Sequence, residues 1–415
     1  MGNQTGVVIT GLGVVAPNGI GVKSFWKANC EGRSGVSTLR AFDVAPHETK
    51  IGGEIFDFDP LAQLGPTTAK HMDRSAQLAM VAAREALTDA GIHDKPEILK
   101  PAGVYIGSGL GGMIFYEKQL EIVRIAGLSR CHPGGVPRIT PNAPAGEISI
   151  AFGMRGPGIT LCTACSSSGH AIGQAADAIR QGRMRVCLAG GTEAPLTHYT
   201  FGSFGALRVM SRRNEEPERA SRPFDRDRDG FVMGEGSGML VLESEEHARK
   251  RGARIYAKIS GYGAAASAYH MVMPQPDGDD AYDSMKLALD EAGIPLNQVD
   301  YINAHGTATR QNDTAEALAI RRLFGEHRGR LSISSTKSMI GHLVGAAGAV
   351  EAVITCLAIR DGIVPPTINL ENLDPECDSM DYTPRVAKER KIRVALSNSF
   401  GFGGNNSSLL FQKLD

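Results

Sequence analysis

The sequence lacks an excess of charge of either sign. It has 44 lysine and arginine residues against 45 aspartate and glutamate residues, which leaves a net charge of −1 over 415 residues. A chain without a strongly basic balance has no electrostatic footprint for nucleic acid or for an anionic membrane surface. We therefore expect neither a nucleic-acid partner nor a membrane partner.

Long apolar runs and a dense set of cysteines are also missing. The longest apolar stretch, 343–359, carries Glu351 and many small residues, so it predicts a buried helix rather than a membrane span. Seven scattered cysteines do not make a disulfide framework. The opening stretch MGNQTGVVIT has no basic region followed by an apolar run, so no signal peptide is expected. Together these features predict a soluble, cytoplasmic protein.

Glycine, by contrast, is abundant. The 50 glycines punctuate short runs rich in valine and isoleucine, such as VVITGLG, RVCLAGG and AKISGYG. Such a run, followed by glycine or serine and then a helical stretch, is typical of buried strands that alternate with helices. The predicted fold class is α/β.

The chain also contains an internal repeat. Four segments of the first half match four of the second in the same order: Ile9–Gly13 with Ile259–Gly263, Glu85–Ile92 with Leu287–Ile294, Val104–Gly109 with Asp300–His305, and Val186–Gly190 with Val394–Asn398. Chance rarely repeats four segments in order. We infer two similar α/β halves, 1–255 and 256–415.

The stretch ITLCTACSSSGHAIGQA takes part in this repeat. When it is laid on LSISSTKSMIGHLVGAAGA, Cys165 aligns with Lys337 and His170 aligns with His342. If the halves pack about a pseudo-twofold axis, these two helix starts should approach each other near the interface between the halves. Clefts usually form at such interfaces.

Cys165 is the first candidate for chemistry. It follows an expected strand, 159–163, and precedes Ser-Ser-Ser-Gly at the start of a helix, whose amides favour a thiolate and can bind an oxyanion. A nucleophile and a buried structural cysteine are both open and, because Cys162 completes a C-x-x-C pattern, so is a redox or metal site. No second C-x-x-C is present and the Cys131-His132 pair is typical of a loop, which disfavours a metal site.

Three basic side chains of the second half strengthen the hypothesis that Cys165 is a nucleophile: His305, Lys337 and His342. His305 ends the expected strand VDYINA, where it suits a proton donor or an oxyanion donor. Each of them has a structural alternative: His305 as a cap of local backbone, His342 as a core histidine and Lys337 as a surface lysine. Their shared place with Cys165 in a duplicated fold favours catalysis.

Two glycine-rich segments complete the set of motifs. Residues 107–112 satisfy G-x-G-x-x-G, but no acidic residue ends a following strand about twenty residues later, which disfavours dinucleotide binding. The segment SNSFGFGG places Phe400 and Phe402 among glycines. An aromatic side chain there can act as a movable cover, and an ordinary glycine turn is the alternative.

Six motifs now stand in order along the chain: TACSSSG, SRPFDRDRDGFVMGEGSGMLVLE, NAHGTAT, SSTKSMIGHLVGAAGAVE, VPPTINL and NSFGFGG. In these the chain resembles the β-ketoacyl-acyl-carrier-protein synthases of the thiolase superfamily, and most closely the elongating synthase II type. The resemblance implies a thiolase-like fold of two duplicated halves in a five-layered αβαβα arrangement. It also implies decarboxylative condensation of an acyl-enzyme thioester with a malonyl group on an acyl carrier protein, in fatty acid elongation.

The resemblance implies a role for each matching residue. Cys165 would receive the acyl group, while His305 and His342 would assist decarboxylation and stabilise the enolate. Lys337, near Glu351, would order the histidines electrostatically. The remaining implied roles are an oxyanion hole from the amides of Cys165 and Phe402, a gate at Phe402, contacts of Thr307 and Thr309 with the pantetheine arm, and an acyl-pocket wall at Leu110.

The implied partners follow from the same resemblance. The carrier protein is acidic in this family, so a basic patch is expected, with Lys70, Arg74, Arg130 and Arg208 as candidates. The phosphopantetheine arm arrives on the carrier, and no metal or redox cofactor is required.

Other readings within the superfamily stay open. Asn405-Asn406 stands where housekeeping synthases have Thr-Asn, and the segment 129–147 is unusual. These departures leave a type II polyketide or polyene ketosynthase as the alternative, either a homodimer or a heterodimer with a cysteine-less chain-length partner. A thiolase is disfavoured because Cys377 lies in a surface-like acidic stretch rather than in the C-terminal glycine turn. A non-catalytic partner subunit is disfavoured by the presence of Cys165 and both histidines.

Overall fold

The two halves of the chain contribute matching sets of strands to one large sheet. The computed structural model describes residues 5–377 and 380–414. The strands of three or more residues are β1 (Val7–Ala16), β2 (Gly103–Gly107), β3 (Gly158–Leu161), β4 (Val186–Glu193), β5 (Gly236–Ser244), β6 (Ala257–Ala266), β7 (Tyr301–Asn303), β8 (Ser332–Ser334), β9 (Val394–Gly401) and β10 (Asn405–Gln412). Two-residue strands lie at Gly19–Ile20, Ser37–Thr38, Ile51–Gly52, Ile363–Val364 and Lys388–Glu389.

The strand order repeats between the halves. The sheet runs β8-β7-β9-β10-β6-β1-β5-β4-β2-β3, so the order read outward from the centre is the same on both sides. In each half the second strand pairs in parallel with the third and the fourth, whereas the first strand pairs antiparallel with the fifth. The halves join where β1 pairs with β6 at Val8–Lys258 and Ile9–Ala257.

Helices cover both faces of this sheet. Those of nine or more residues are α1 (Val22–Cys30), α2 (Arg74–Asp89), α3 (Met113–Ala126), α4 (Ala143–Phe152), α5 (Ser167–Arg180), α6 (His198–Ala206), α7 (Asp279–Ala292), α8 (Arg310–Phe324) and α9 (Ala347–Asp361). Shorter α-helical segments lie at Pro60–Leu64, Pro66–His71, Pro96–Leu99, Gly135–Ile139, Glu245–Lys250 and Lys337–Ile340. Within residues 5–377 and 380–414, no helix has the length and apolar character needed to cross a membrane.

The helices and the two five-stranded parts of the sheet, one from each half, form five layers. Helices α5 and α9 contact each other and strands of both halves, so they make up the central layer. Helices α2 and α4 cover the outer face of the first half, and α7 with α8 covers that of the second. This is the five-layered αβαβα arrangement of duplicated halves that the resemblance implies. The boundary between residues 255 and 256 stays a prediction; helix Glu245–Lys250 leads from β5 toward β6.

Helix α9 confirms the buried helix expected from the apolar stretch. Every residue from Ala347 to Ile359 is buried, including Glu351. A helix that is apolar all round is stable only when protein surrounds it, and the small residues of its first turns let both parts of the sheet approach. Burial of each large aliphatic side chain, such as Ile354, stabilises the fold by about 1.5–3 kcal/mol.

The glycine-rich segment 107–112 has a packing explanation. A Cβ atom on Gly107 would lie 2.2 Å from the backbone nitrogen of Ser168, so only glycine lets β2 pass the start of α5. The first glycine of the G-x-G-x-x-G pattern therefore serves strand–helix contact.

The structure corrects the alignment of the two helix starts. A short 3-10 turn precedes each central helix, Ala164–Ser166 before α5 and Val344–Ala346 before α9. Ala164 and Val344 adopt similar positive φ values, 52° and 47°. Cys165 therefore corresponds to Gly345, and its predicted alignment with Lys337 is wrong. Lys337 and His342 lie in a longer connection, 335–343, between β8 and that turn, for which the first half has no counterpart of equal length.

Candidate active site

Cys165 lies at the start of helix α5, buried beneath the C-terminal glycine segment. The preceding strand ends at Leu161, two residues earlier than the sequence indicates. Ser167 fixes the turn by donating its hydroxyl to the carbonyl of Ala164 at 2.6 Å. Ser166 fixes it to the other half by donating to the carbonyl oxygens of Ser399 and Asn405. The thiol thus has a defined position between the halves.

The protonation state of Cys165 differs from the expected thiolate. Burial raises the pKa of its thiol to about 12, although the charge of Lys337 and the amides of Phe402 and Cys165 act in the opposite direction. Desolvation of the thiolate outweighs the helix start because Cys165 is only 7% exposed. In the free protein the neutral thiol is therefore favoured over the thiolate.

The two backbone amides that lower the pKa of the Cys165 thiol form a candidate oxyanion site. The backbone N–H groups of Phe402 and of Cys165 itself both face the sulfur. A carbonyl carbon bonded to that sulfur would place its oxygen near the same two donors. The Phe402 segment is held by the amide of Gly403, which donates to the carbonyl of Met271 at 2.8 Å, and by Asn405, whose side chain donates to the carbonyl of Phe402.

His305 follows strand β7 and is oriented from two sides. Glu316, buried on α8, accepts the backbone N–H groups of His305 and Gly306, both at 2.9 Å. Lys337 lies 3.4 Å from the Nδ1 atom of His305. An ammonium group can only donate, so Nδ1 accepts and Nε2 carries the ring proton.

Lys337 forms a fully buried ion pair with Glu351. Its Nζ atom donates to Oε1 of Glu351, and each side chain is 1% exposed. Burial raises the pKa of Glu351 to about 7 while Lys337 opposes that change. The pair connects the 335–343 connection to the central helix α9 and keeps a positive charge beside the histidines.

His342 faces the cavity with both ring nitrogens free of hydrogen bonds to the described residues. Its ring lies 5.3 Å from that of His305, edge to face. Burial and the charge of Lys337 hold the pKa of both histidines well below the usual value. Both imidazoles are therefore neutral near pH 7, and each can donate one N–H to a developing negative charge.

A cavity of about 430 Å³ joins these groups. Its lining includes Cys165, His305, His342, Thr307, Thr309 and Phe402. The hydroxyls of the two threonines lie 2.9 Å apart along one wall. The ring of Phe402 stacks on that of Phe204 at 6.0 Å, so two aromatic side chains close one side. The structure thus brings together six residues singled out from the sequence, with Lys337 behind His305.

Other residues singled out from the sequence lie elsewhere. Leu110 is half-buried and is not among the residues that line this cavity; its backbone N–H donates to Glu193. The contribution of Leu110 to an acyl pocket stays a prediction. Cys162 is exposed and donates its thiol to the carbonyl of Gly109, so the two thiols of the C-x-x-C pattern have different surroundings. Cys377 is buried rather than on the surface, and is not in the cavity lining.

The four basic residues predicted to contact the carrier protein lie in different surroundings. Arg208 is exposed and lines the cavity, whereas Lys70 and Arg130 are exposed at other positions. Arg74 is a correction: its guanidinium donates twice to Glu235, at 2.6 and 2.7 Å, and once to the carbonyl of Ile55. Since Glu235 is 1% exposed, Arg74 serves to neutralise a buried carboxylate and does not offer its charge to a partner.

Sequence reasoning missed two buried acids, Glu193 and Glu316. Glu316 could have been found from its place on the buried face of a helix that begins just after HGTATR. Glu193 ends a strand rich in glycine and alanine, where a carboxylate needs a specific partner. Neither residue makes an ion pair with a basic side chain in the described part of the chain.

The chain matches known proteins over its full length. The family models "Beta-ketoacyl synthase, N-terminal domain" and "Beta-ketoacyl synthase, C-terminal domain" match residues 4–248 and 256–371. The 3-oxoacyl-[acyl-carrier-protein] synthase 2 of Coxiella burnetii is 46% identical over 408 residues, 98% of each chain. The protein of the same name from Synechocystis sp. is 44% identical over 407 residues, again 98% of each chain.

Solved structures agree with these relatives. A chain of the ishigamide ketosynthase/chain length factor is 34% identical with a TM-score of 0.92 and full coverage of both chains. A chain of the AntDE:AntF complex, a type II PKS acyl-carrier protein with its ketosynthase bound to the hexaketide, is 35% identical with a TM-score of 0.90, also with full coverage of both chains.

Proposed function

Because the chain belongs to the β-ketoacyl synthase family, we propose that it condenses an acyl group with a malonyl group carried by acyl carrier protein. It is an acyl-transferring enzyme with a thiolase-like fold. The two 3-oxoacyl-[acyl-carrier-protein] synthases 2 named above are 46% and 44% identical to it, and the chains of the two polyketide-type structures are 34% and 35% identical. This difference favours fatty acid elongation over a polyketide pathway.

One observation carries the chemistry: a buried thiol faces two backbone amides in the same cavity as two neutral histidines. In the first step the sulfur of Cys165 bonds to the acyl carbon. The bond from that carbon to the sulfur of the carrier arm breaks, and the thiol proton leaves with the arm. One thioester replaces another, so this transfer is nearly balanced in energy.

In the second step the malonyl group loses carbon dioxide. The electron pair of the breaking carbon–carbon bond enters the thioester as an enolate, whose oxygen accepts N–H groups from His305 and His342. Lys337 fixes the tautomer of His305, so Nε2–H points away from the lysine. Neutral donors suit this step because they do not protonate the enolate before it reacts.

In the third step the enolate carbon attacks the acyl carbon on Cys165. The tetrahedral oxyanion lies near the amides of Cys165 and Phe402. Its collapse breaks the carbon–sulfur bond, and Cys165 takes up one proton from solvent. The sequence of steps balances without a metal or redox cofactor, and phosphopantetheine enters as part of the carrier.

The carrier would dock at the cavity mouth. Arg208 and Arg310 are exposed cations that line the cavity, and Thr307 with Thr309 lies deeper, where a pantetheine arm would pass. An acidic carrier gains association rate from such a rim. The seven cysteines are free, which fits a reducing cytoplasm.

A dimer completes this proposal. The short strand β3 lies at the edge of the sheet, and exposed apolar side chains cluster along the chain around it: Leu128 is 78% exposed, Val136 69%, Ile150 81% and Ile159 41%. An apolar edge of this kind is stable when a second subunit covers it. We assign the partner as a second copy of this chain.

Intact mass spectrometry tests the reaction. The protein is incubated with acyl carrier proteins bearing saturated and unsaturated chains, and peptide mapping locates any adduct. Cys165→Ala removes the nucleophile, while Cys162→Ala is a matched control three residues away. An adduct on Cys165 that disappears when malonyl carrier is added supports the proposal. If none of the acyl chains gives an adduct, the proposed function is overturned.

A further inference from the structure

Glu193, the last residue of β4, is a fully buried carboxylate that binds backbone amides rather than a basic side chain. It accepts N–H groups from Gly109 at 2.6 Å, Leu110 at 3.1 Å and Gly345 at 3.0 Å. The hydroxyl of Ser108 adds a fourth donor at 3.2 Å. Four donors from two separate segments therefore converge on one carboxylate.

The duplicated fold explains where this carboxylate lies. Gly345 is the counterpart of Cys165, and a Cβ atom on Gly345 would lie 2.4 Å from Oε2 of Glu193. By the repeat of β4 and β9, the counterpart of Glu193 is Gly401, which ends β9 beside the backbone nitrogen of Cys165. The carboxylate thus fills one helix start, while at the other helix start glycine leaves room for substrate.

The two segments that Glu193 joins both lead to the active site. Ser108, Gly109 and Leu110 follow β2 and include the predicted wall of the acyl pocket. Gly345 comes three residues after His342 and lies in the middle of the turn Val344–Ala346 that leads into α9. The positive φ of Val344, 47°, is an unfavourable backbone conformation for valine that this hydrogen bond helps to hold.

The charge of Glu193 also acts on the nucleophile. Burial raises the pKa of Glu193 to about 7, and its four donors oppose that change. When ionised it raises the pKa of the Cys165 thiol, opposite to the effect of Lys337. The charge of Glu193 also raises the pKa of the Cys162 thiol.

We propose that Glu193 is a positioning residue that ties the Leu110 segment to the segment following His342, so that one carboxylate sets both the acyl-pocket wall and a decarboxylation histidine. The inference rests on the proposed condensation. Glu193 touches no substrate; it acts through the backbone of its neighbours.

Two substitutions distinguish the effect of the charge of Glu193 from the effect of its side-chain length. Glu193→Gln keeps the size but places an amide –NH₂ against backbone N–H donors. Glu193→Asp keeps the charge and shortens the side chain. The matched control is Glu85→Gln, because Glu85 also accepts two backbone amides, from Val14 and Val22, but lies on the outer helix α2.

The first measurement is the pH profile of Cys165 alkylation by iodoacetamide, which needs no carrier protein. We expect its midpoint to move to lower pH in Glu193→Gln, since a negative charge beside the thiol is removed. Glu193→Asp should move it less, and Glu85→Gln should leave it unchanged. An unchanged midpoint in Glu193→Gln would overturn the electrostatic contact even if the condensation proposal itself were wrong.

The second measurement is kcat and KM for condensation with acyl chains of several lengths. We expect kcat to fall about tenfold to a hundredfold in both Glu193 variants, with a changed order of preferred chain lengths. A uniform loss across all chains that follows loss of folded protein in thermal unfolding would refute positioning. If Glu193→Gln does not fold, Glu193→Asp still tests positioning through kcat, KM and the order of preferred chain lengths, because the shorter side chain cannot reach all four donors. A wild-type protein without condensation would refute the proposed function and leave the alkylation result standing.

Discussion

Replacement of Lys337 by methionine tests the central ion pair most directly. Lys337 and Glu351 are each 1% exposed, so removal of the ammonium leaves a carboxylate in a site that water does not reach. Loss of one partner of a buried pair costs about 3–5 kcal/mol of unfolding free energy. The pKa of Glu351, already raised to about 7 by burial, rises further when Lys337 no longer opposes it.

The sign of the pH dependence follows from that rise. A carboxyl group whose folded pKa exceeds its unfolded value of about 4.3 is most compatible with folding at low pH, where it is protonated in both states. Stability is then lost as pH increases through the folded pKa. Lys337→Met should therefore lose more stability, relative to wild type, at pH 8 than at pH 6.

The assay is urea unfolding followed by circular dichroism at fixed protein concentration, at both pH values. The double variant Lys337→Met with Glu351→Gln should recover most of the loss, because no charge is left buried. Equal stability of Lys337→Met and wild type at both pH values, or a double variant no more stable than the single one, would refute the reasoning. In the same variant His305 loses the donor to Nδ1, and condensation should fall even where the protein is folded.

Three further predictions concern the surface and its neighbours. Arg208→Glu should raise KM for the acyl carrier protein several-fold without a change in kcat, and the effect should shrink in high salt; an equal effect at all salt concentrations would contradict docking at this rim. Arg74→Met should lower the free energy of unfolding by about 3 kcal/mol, because Glu235 is left unpaired, while KM for the carrier stays at the wild-type value. Ile150→Lys should shift the mass measured by light scattering from dimer toward monomer, and an unchanged mass would place the interface elsewhere.

Much of the fold and most of the site could be predicted because the signals are local. Each catalytic candidate stands in a contiguous motif at a strand end or helix start, and the repeat gives the pairing of the halves. Strands such as β1, β4 and β6 follow the glycine-punctuated runs VVITGLG, RVCLAGG and AKISGYG, because β-branched residues favour a buried strand. Strands β5 and β10 were not identified in this way. The buried helix α9 could be recognised from its small residues and single acid.

The remaining features depend on contacts between distant segments. The alignment of Cys165 with Lys337 failed because the connection 335–343 is longer than its counterpart, and letter matching cannot register a length difference. The pKa of Cys165 depends on burial by residues more than two hundred positions away. Arg74 looked like a surface cation because Glu235, its partner, lies far along the chain. Glu193 was missed because its ligands are backbone amides, which leave no mark in a sequence.

The strand order has a consequence for synthesis of the chain. In each half the first strand pairs with the last, β1 with β5 and β6 with β10. Non-local pairing of this kind is slow, because a long loop must close before the contacts form. Most of β1 therefore has no strand partner until Gly236–Ser244 has left the ribosome. Most of β6, beyond its short contact with β1, has none until Asn405–Gln412 has emerged. During that interval the apolar first strands are exposed, so we expect yield in cells to depend on chaperones and on translation speed.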